Sequence, residues 1–156
     1  MNKKNYIQDI RKKVGNEMIF LNFSCACIVN DKDEILLQKR SKDGNVWGFP
    51  GGAMELNESA KDTVIREVKE ETGFDVKVDQ FIGVYTLYFD KYLNGDKSQN
   101  IVTFFKCSIV GGNFQIDNKE TFDLKFFNLN NIPRLFNKQH RDMLKDYLAN
   151  KQGVCK

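Results

Sequence analysis

One stretch of the sequence constrains this chain more than any other. Residues 52–74 read GAMELNESAKDTVIREVKEETGF, which fits the pattern G-x5-E-x7-R-E-U-x-E-E-x-G-U, with U apolar, at every fixed position. The fixed positions are Gly52, Glu58, Arg66, Glu67, Val68, Glu70, Glu71, Gly73 and Phe74. Because each specified residue type is a small fraction of an average protein, so many matches at set spacings are very rare by chance. The stretch is therefore a functional motif.

The motif predicts its own helix. Ser59 followed by Asp62 has the S-x-x-[DE] form of a helix start, and Gly73 suits a helix end in the left-handed conformation. Between these ends, small or apolar residues recur every four positions, namely Ala60, Val64 and Val68. This period gives the helix one side to bury in a core.

The same helix carries a cluster of negative charge. Glu67, Glu70 and Glu71 project within about a 100° arc of the helix. Carboxylates spaced three and four residues apart repel one another, and Arg66 alone cannot neutralise three anions. A bound divalent metal would neutralise these carboxylates. Ligands that are all oxygen favour a hard ion such as Mg²⁺. The alternative, a solvated acidic helix face, leaves the other fixed positions of the motif unexplained.

The motif is that of the Nudix box, and the chain resembles a Nudix hydrolase. The box covers residues 52–74, and a weaker resemblance extends over residues 6–148. The resemblance implies an α/β fold, the Nudix-type α/β/α sandwich with a mixed β-sheet. It also implies an activity, the hydrolysis of a nucleoside diphosphate linked to another group X, in which water attacks a phosphorus while Mg²⁺ or Mn²⁺ neutralises the charge.

Carried over position by position, the resemblance implies roles for the box residues. The expected metal-binding groups are the carboxylates of Glu67, Glu70 and Glu71 and the backbone of Gly52. Glu67 and Glu70 are also expected to take part in catalysis. Arg66 is expected to orient a glutamate and not to touch the substrate.

Two places compete for the general base. Glu120 stands in the polar stretch NKET just ahead of a predicted strand, where many Nudix proteins carry a catalytic or metal-binding acid. The alternative is a solvent-exposed loop glutamate with no catalytic role. In that case the base must be a box glutamate, with Glu67 the first choice.

Four residues outside the box are candidates for substrate binding. Arg40, at the end of a predicted strand, is either a phosphate contact or a surface arginine. Trp47 and Phe49 are candidates for stacking on a base, although in the sequence WGFPGG such residues more often pack under the catalytic loop. Tyr88 lies in a run expected to line a substrate cleft. The single histidine, His140, is expected at the surface or at a helix cap.

The rest of the chain alternates strand and helix patterns. Predicted strands cover residues 20–29, 35–40, 76–89, 101–110 and 122–128. Predicted helices cover residues 5–14, the box, and residues 138–150. The last helix is predicted to bury Met143, Leu144, Tyr147 and Leu148. Strands that flank one central helix, with a second helix at the end, indicate a mixed sheet covered on both faces. Cys25 and Cys27 alternate in an apolar run, so both are expected on one face of a buried strand.

Length and charge limit the other possibilities. With 156 residues the chain is predicted to be one domain, residues 1–156, in which residues 1–17 form a helical extension that packs on the domain or takes part in a homodimer. A formal charge of +3 is too small to indicate nucleic-acid or membrane binding. The four cysteines contain no C-x-x-C pair and are expected to stay reduced. A cytoplasmic location is expected.

The box specifies the reaction but not the group X. The expected substrate is a small nucleotide derivative, either a nucleoside triphosphate, intact or oxidised, or a nucleotide sugar. ADP-ribose pyrophosphatases tend to have a proline about fifteen or sixteen residues after the second box glycine, where this chain has Tyr88 and Phe89. Dinucleoside polyphosphate hydrolases tend to have a tyrosine slightly further on, a position that Tyr88 and Tyr92 straddle. A nucleotide-binding domain without catalysis is disfavoured by the intact box, and an RNA 5′-end pyrophosphohydrolase by the small charge.

Overall fold

The computed structural model describes residues 5–116 and 121–156 of the chain. The helices are α1 (Tyr6–Val14), α2 (Ala60–Thr72) and α3 (Lys138–Leu148), and a 3₁₀ turn covers Leu129–Asn131. The strands are β1 (Met18–Ile28), β2 (Ile35–Lys39), β3 (Trp47–Gly48), β4 (Gly51–Ala53), β5 (Phe74–Lys91), β6 (Lys97–Gly112), β7 (Asp123–Phe127) and β8 (Val154–Cys155). Each helix and strand predicted from the sequence is present, with its ends moved by a few residues.

The strands form two sheets. Five strands form a mixed sheet in the order β4-β1-β6-β5-β8, in which β1 and β6 run parallel. Three strands form an antiparallel sheet in the order β3-β2-β7. Helix α2 packs on β1, β4 and β5, and α3 packs on β5 from the other side. The α/β/α sandwich with a mixed sheet is therefore confirmed, with a second, antiparallel sheet that the sequence did not distinguish.

The second half of strand β1, residues 24–28, is buried on both faces and separates two apolar cores. On one face, Cys25 and Cys27 join a core that includes Met143 of α3. On the other face, Ala26 joins a core that includes Val64 of α2. The prediction that the two cysteines share one face of a buried strand is confirmed, and all four cysteines are free thiols.

Helix α2 begins and ends at the predicted residues. The Ser59 hydroxyl accepts the N–H of Asp62 at 3.1 Å, and the Asp62 carboxylate accepts the N–H of Ser59 at 3.1 Å, so the two residues form a reciprocal capping box. Gly73 ends the helix with a φ of 78°, and a Cβ at this residue would overlap the carbonyl oxygen of Asn113. Only glycine fits this position, because both the backbone angle and the space exclude a side chain.

Three features differ from the predicted fold. Strands β3 and β4, between the predicted second strand and the box helix, were not predicted, because they are too short to show a strand period. Strand β8 pairs in parallel with Gly83 and Val84 of β5 and was not predicted. Leu148, expected on the inner side of α3, is 46% exposed, because the helix ends there and in its last turn Tyr147 packs against the core instead.

Helix α1 lies on the surface and is held by polar contacts, since none of its residues is buried. The N–H of Tyr6 donates to the Glu55 carboxylate at 2.9 Å. The Arg11 guanidinium donates to the carbonyl of Lys97 at 2.7 Å and lies 3.5 Å from the Asp96 carboxylate. These contacts place α1 between the box loop and the hairpin that joins β5 to β6. Within the described ranges, no helix has the length and apolar character needed to cross a membrane.

Candidate active site

A cleft of about 830 Å³ is bounded by α2, the hairpin that joins β5 to β6, and the start of α3. The box residues that line it are Gly52, Ala53, Glu55, Arg66, Glu67, Glu70 and Glu71. The three carboxylates expected to bind metal therefore share one wall. They do so because α2 is capped at both ends and packed on the sheet, which leaves its acidic side facing the cleft.

Arg66 is the centre of an ion-pair network beside this wall. Its guanidinium donates to the Glu58 carboxylate at 2.5 and 2.9 Å and to the Glu67 carboxylate at 2.6 Å. It also donates to the carbonyl of Ala53 at 3.1 Å and lies 3.6 Å from the Glu70 carboxylate. With so many donors in use, Arg66 holds the glutamates in place, which is the geometry that an orienting role requires.

Glu58 fixes the other side of this network. The hydrogen bond from Arg66 is the main reason that the pKa of Glu58 is lowered to about 2. The N–H of Glu55 at 3.2 Å and the hydroxyl of Thr63 at 3.0 Å also donate to this carboxylate and lower its pKa further. Glu58 is therefore charged at neutral pH and keeps Arg66 beside the box glutamates.

Glu71 ties the box helix to the loop before β4. The Glu71 carboxylate is almost completely buried and accepts the N–H of Gly51 at 2.8 Å and the side-chain amide of Gln38 at 3.2 Å. Burial raises the pKa of Glu71 to about 7, and the charge of Arg40 and the N–H of Gly51 oppose that rise. The carboxylate therefore serves as a structural acceptor and also lines the cleft.

The two adjacent glycines of the loop before the box helix, Gly51 and Gly52, leave no room for side chains. Gly51 has a φ of 152°, and a Cβ there would overlap the carbonyl oxygen of Ser24. A Cβ on Gly52 would overlap the carboxylate of Glu67. The glycines thus form a tight turn and bring the backbone close to the acidic wall.

Two further side chains hold the same loop from the opposite direction. The Arg40 guanidinium donates to the carbonyl of Gly51 at 3.2 Å. The Nδ1 atom of His140 accepts the N–H of Phe49 at 3.1 Å, so the neutral ring carries its proton on Nε2. The prediction that His140 lies at the surface or at a cap is wrong. His140 is buried because the first turn of α3 packs against Gly48, and burial together with the charge of Arg40 holds its pKa well below the usual value.

Two of the predicted substrate-binding residues are core residues. Trp47 is buried and packs edge-on against Phe127, with 4.8 Å between ring centroids. Phe49 is fully buried and packs against Phe104 at 4.7 Å. Neither ring belongs to the lining of the cleft. Their selection as base-stacking residues is therefore wrong, and packing under the catalytic loop is the interpretation that the structure supports.

Arg40 and Tyr88 differ in their placement. Arg40 lines the cleft, and its guanidinium lies 5.4 Å from the centre of the Phe136 ring. Tyr88 is half-buried outside the cleft lining, and its hydroxyl donates to Asp142 at 2.6 Å. Glu120, the other candidate for the general base, lies outside the described residues.

One wall of the cleft is formed by residues that follow the box in the chain, and the sequence did not predict it as part of a site. The residues of this wall are Asp90, Tyr92, Asn100, Phe136 and Gln139. A polar residue at position 100, two places before Val102 in an alternating strand, is the sequence signal that could have marked it. The signal was not decisive, because alternation alone does not show which face of a strand is inward.

The donor atoms of the acidic wall fit a hard divalent cation, since they are carboxylate and backbone oxygens. Within residues 5–116 and 121–156, no three Asp, Glu, His or Cys side chains are already arranged to hold a metal ion. The contacts explain this arrangement: Arg66 stands beside Glu67 and Glu70, and Glu71 is turned toward Gly51. The wall therefore supplies suitable donors, of which Arg66 now neutralises part.

Comparison with known proteins agrees with this site. Residues 18–147 match the NUDIX domain model. A Bacillus subtilis protein named "Putative 8-oxo-dGTP diphosphatase" is 32% identical over 127 residues, which cover 81% of this chain and 79% of that protein. An ADP-ribose pyrophosphatase of Methanocaldococcus jannaschii is 32% identical over 129 residues, covering 81% and 72%. The crystal structure of a UDP-X diphosphatase matches with a TM-score of 0.68 and 26% identity, covering 96% of this chain and 73% of that chain.

The fold and the acidic cleft wall define a hydrolase of phosphoanhydride bonds in nucleotide derivatives. The chain belongs to the Nudix family and is a Nudix hydrolase, since the family model covers most of its length and the Nudix box is intact. The three relatives differ in the substrates that their names give, so family membership fixes the reaction class and leaves the substrate open.

Glu58→Gln is expected to lower the free energy of unfolding at pH 7 by about 1–3 kcal/mol, because the Arg66 guanidinium loses one of its charged partners. The folded-state pKa of Glu58 lies below the ordinary value of 4.5, so its stabilising effect is complete above about pH 5 and is lost as the pH falls toward 2. Urea unfolding of both proteins at pH 7, 5, 4 and 3 measures the difference.

The exposed residue Glu17 provides the control, and Glu17→Gln should unfold like the wild type at every pH. A difference between Glu58→Gln and the wild type that stays constant or grows below pH 4.5 would contradict the assignment of this ion pair.

Proposed function

We propose that this Nudix hydrolase uses Mg²⁺ or Mn²⁺ to cleave a phosphoanhydride bond of a nucleoside diphosphate linked to another group X. The proposed substrates are nucleoside triphosphates, intact or oxidised, and nucleotide sugars. The observation that carries the proposal is that Glu67, Glu70 and Glu71 share one wall of a cleft that Arg40 also lines.

The size and the charges of the cleft support a nucleotide substrate. Its volume of about 830 Å³ falls within the usual range for sites that enclose small molecules. Arg40 offers a cation to a phosphate, since among the described residues no carboxylate lies within ion-pair distance of its guanidinium. The acidic wall by itself would repel a diphosphate, and a divalent cation between the two sets of anions removes that repulsion.

The proposed metal-binding groups are the carboxylates of Glu67, Glu70 and Glu71 and the backbone of Gly52. When bound, the metal supplies charge stabilisation to phosphoryl oxygens as a Lewis acid. The chain supplies position. Arg66 fixes the Glu67 carboxylate, and the bond from the Gly51 N–H to Glu71 keeps the glycine loop against α2. These contacts keep the glycine loop and the acidic wall in a fixed position relative to each other.

ADP-ribose and dinucleoside polyphosphates are the second candidate substrates. The similarity to the ADP-ribose pyrophosphatase of M. jannaschii favours ADP-ribose. Tyr88 and Phe89 stand where ADP-ribose pyrophosphatases tend to have a proline, which counts against ADP-ribose as the substrate. A nucleotide-binding protein without activity is disfavoured because every fixed position of the box is retained.

Removal of metal is expected to abolish hydrolysis, because the clustered carboxylates need a divalent counter-ion before a diphosphate can approach. Protein treated with EDTA and then dialysed should hydrolyse none of a panel of nucleoside triphosphates, nucleotide sugars, ADP-ribose and dinucleoside polyphosphates. Adding Mg²⁺ or Mn²⁺ should restore release of phosphate or pyrophosphate and, without any substrate, should raise the melting temperature. Metal-free protein that hydrolyses its best substrate at the full rate would overturn the metal assignment.

Comparison of Glu67→Gln with Glu120→Gln is expected to identify the general base. Loss of a positioned proton acceptor should lower kcat by about 10² to 10⁴-fold, with a small change in KM. If Glu120 is the base, Glu120→Gln shows this loss and the acidic limb of its pH–rate profile flattens. If Glu120 is a solvated loop acid, that variant stays within about twofold of the wild type. Full activity in both variants would exclude both residues as the base.

A further inference from the structure

The inward face of β6 changes from apolar to polar as the strand approaches the hairpin. Phe104 and Val102 face the core beneath the sheet, whereas Asn100 and Ser98, the next two inward residues, are polar and equally buried. Burying polar side chains costs free energy unless they are hydrogen-bonded, and apolar residues at these positions would extend the core. The polar pair is therefore a feature that folding alone does not explain.

The buried pair fixes the carboxylate of Asp90. The Ser98 hydroxyl donates to Oδ1 of Asn100 at 2.7 Å, and Nδ2 of Asn100 donates to Oδ2 of Asp90 at 2.6 Å. The first bond sets the orientation of the Asn100 amide, and the second therefore sets the position of the carboxylate. Asp90 lines the cleft, and among the described residues no lysine or arginine lies within ion-pair distance of it.

Asp90 lies far from the box loop. The register pairs Gly52 with Ser24 on β1 and Ser24 with Thr103 on β6, so Asn100 is two strands across and three residues along from Gly52. With standard strand spacings, the Cα atoms of Gly52 and Asn100 are roughly 14 Å apart. An anion held at this end of the cleft repels phosphates, and a carboxylate can only accept hydrogen bonds. It must therefore face donor groups at the part of the substrate remote from the diphosphate.

We infer that Asp90 is a specificity-determining residue that accepts hydrogen bonds from adjacent hydroxyls of a sugar, so that the preferred substrates are nucleotide sugars. The inference rests on the proposed function. Sugar hydroxyls suit this place because the neighbouring lining residues Asn100 and Gln139 are polar, whereas a base is better bound by apolar and aromatic surfaces. Such surfaces come from Phe122, whose N–H donates to the carbonyl of Lys39, and from Phe136, whose ring centre lies 5.4 Å from the Arg40 guanidinium.

Asp90→Asn tests the inference, because the asparagine oxygen can still accept from the Asn100 amide while the charge is lost. With Mg²⁺, kcat/KM for UDP-glucose and ADP-ribose should fall by about 10- to 100-fold, the effect expected for charge-assisted hydrogen bonds. The values for dGTP and UTP, neither of which carries a second sugar, should stay within about twofold.

Asp79→Asn is the matched control. Asp79 lies on the same strand, outside the cleft, and accepts from the Ser108 hydroxyl at 3.1 Å, a bond that asparagine can keep. This variant should act on all four substrates like the wild type. Urea unfolding checks that each variant is folded, and Asp90→Ala should show the same selective loss as Asp90→Asn.

Three outcomes would overturn the inference. Equal kcat/KM values for wild type and Asp90→Asn on every substrate would show that the carboxylate contacts none of them. A loss on dGTP or UTP that spares another substrate would show that it binds the base or the ribose of the nucleoside. Equal losses on all four substrates would show a general structural effect. In each case the wild type still hydrolyses nucleotides. Failure of the proposed function differs, because the wild type would then hydrolyse none of them.

Discussion

The concentration of negative charge on one side of α2 is the constraint on which the site depends. Glu67 and Glu71 are one turn apart, and Glu70 stands between them, so the helix holds these carboxylates against their mutual repulsion. Two interactions make this possible. Arg66 neutralises part of the charge and is itself held by Glu58, and Glu71 is buried as an acceptor for the Gly51 N–H. The same contacts that stabilise the helix therefore hold the glycine loop beside it.

The parts of this structure that were predictable from the sequence are those with local causes. The ends of α2 follow from Ser59, Asp62 and Gly73, because capping and the left-handed helix end depend on neighbouring residues only. The acidic wall follows from helical spacing. The mixed sheet follows from strand patterns of ordinary length together with the resemblance to the Nudix family. Trp47 illustrates the limit, because an aromatic ring next to a catalytic loop looks the same in sequence whether it packs or binds.

The parts that were not predictable depend on contacts between distant segments. His140 looks like a surface residue in its own helix. Only the packing of α3 on Gly48 buries it, as an acceptor for the N–H of Phe49, which is 91 residues away in the chain. Strand β8 has two residues and no period to detect. Asn100 donates a hydrogen bond to Asp90 across the hairpin. The two side chains meet because the register of β5 and β6 sets Asp90 opposite Ser98, two residues from Asn100.

Whether the acidic wall performs the chemistry is decided by the turnover of Glu70→Gln, measured together with its stability. Glu70 is the most exposed of the three box glutamates, and its 3.6 Å contact with Arg66 is longer than the 2.6 Å contact of Glu67, so the substitution removes charge from the wall without opening the core. The account predicts a loss of about 10³-fold or more in kcat with saturating Mg²⁺, together with an unfolding free energy in EDTA that is equal to or higher than that of the wild type. Normal turnover by Glu70→Gln would contradict the claim that the acidic wall of the cleft performs the chemistry.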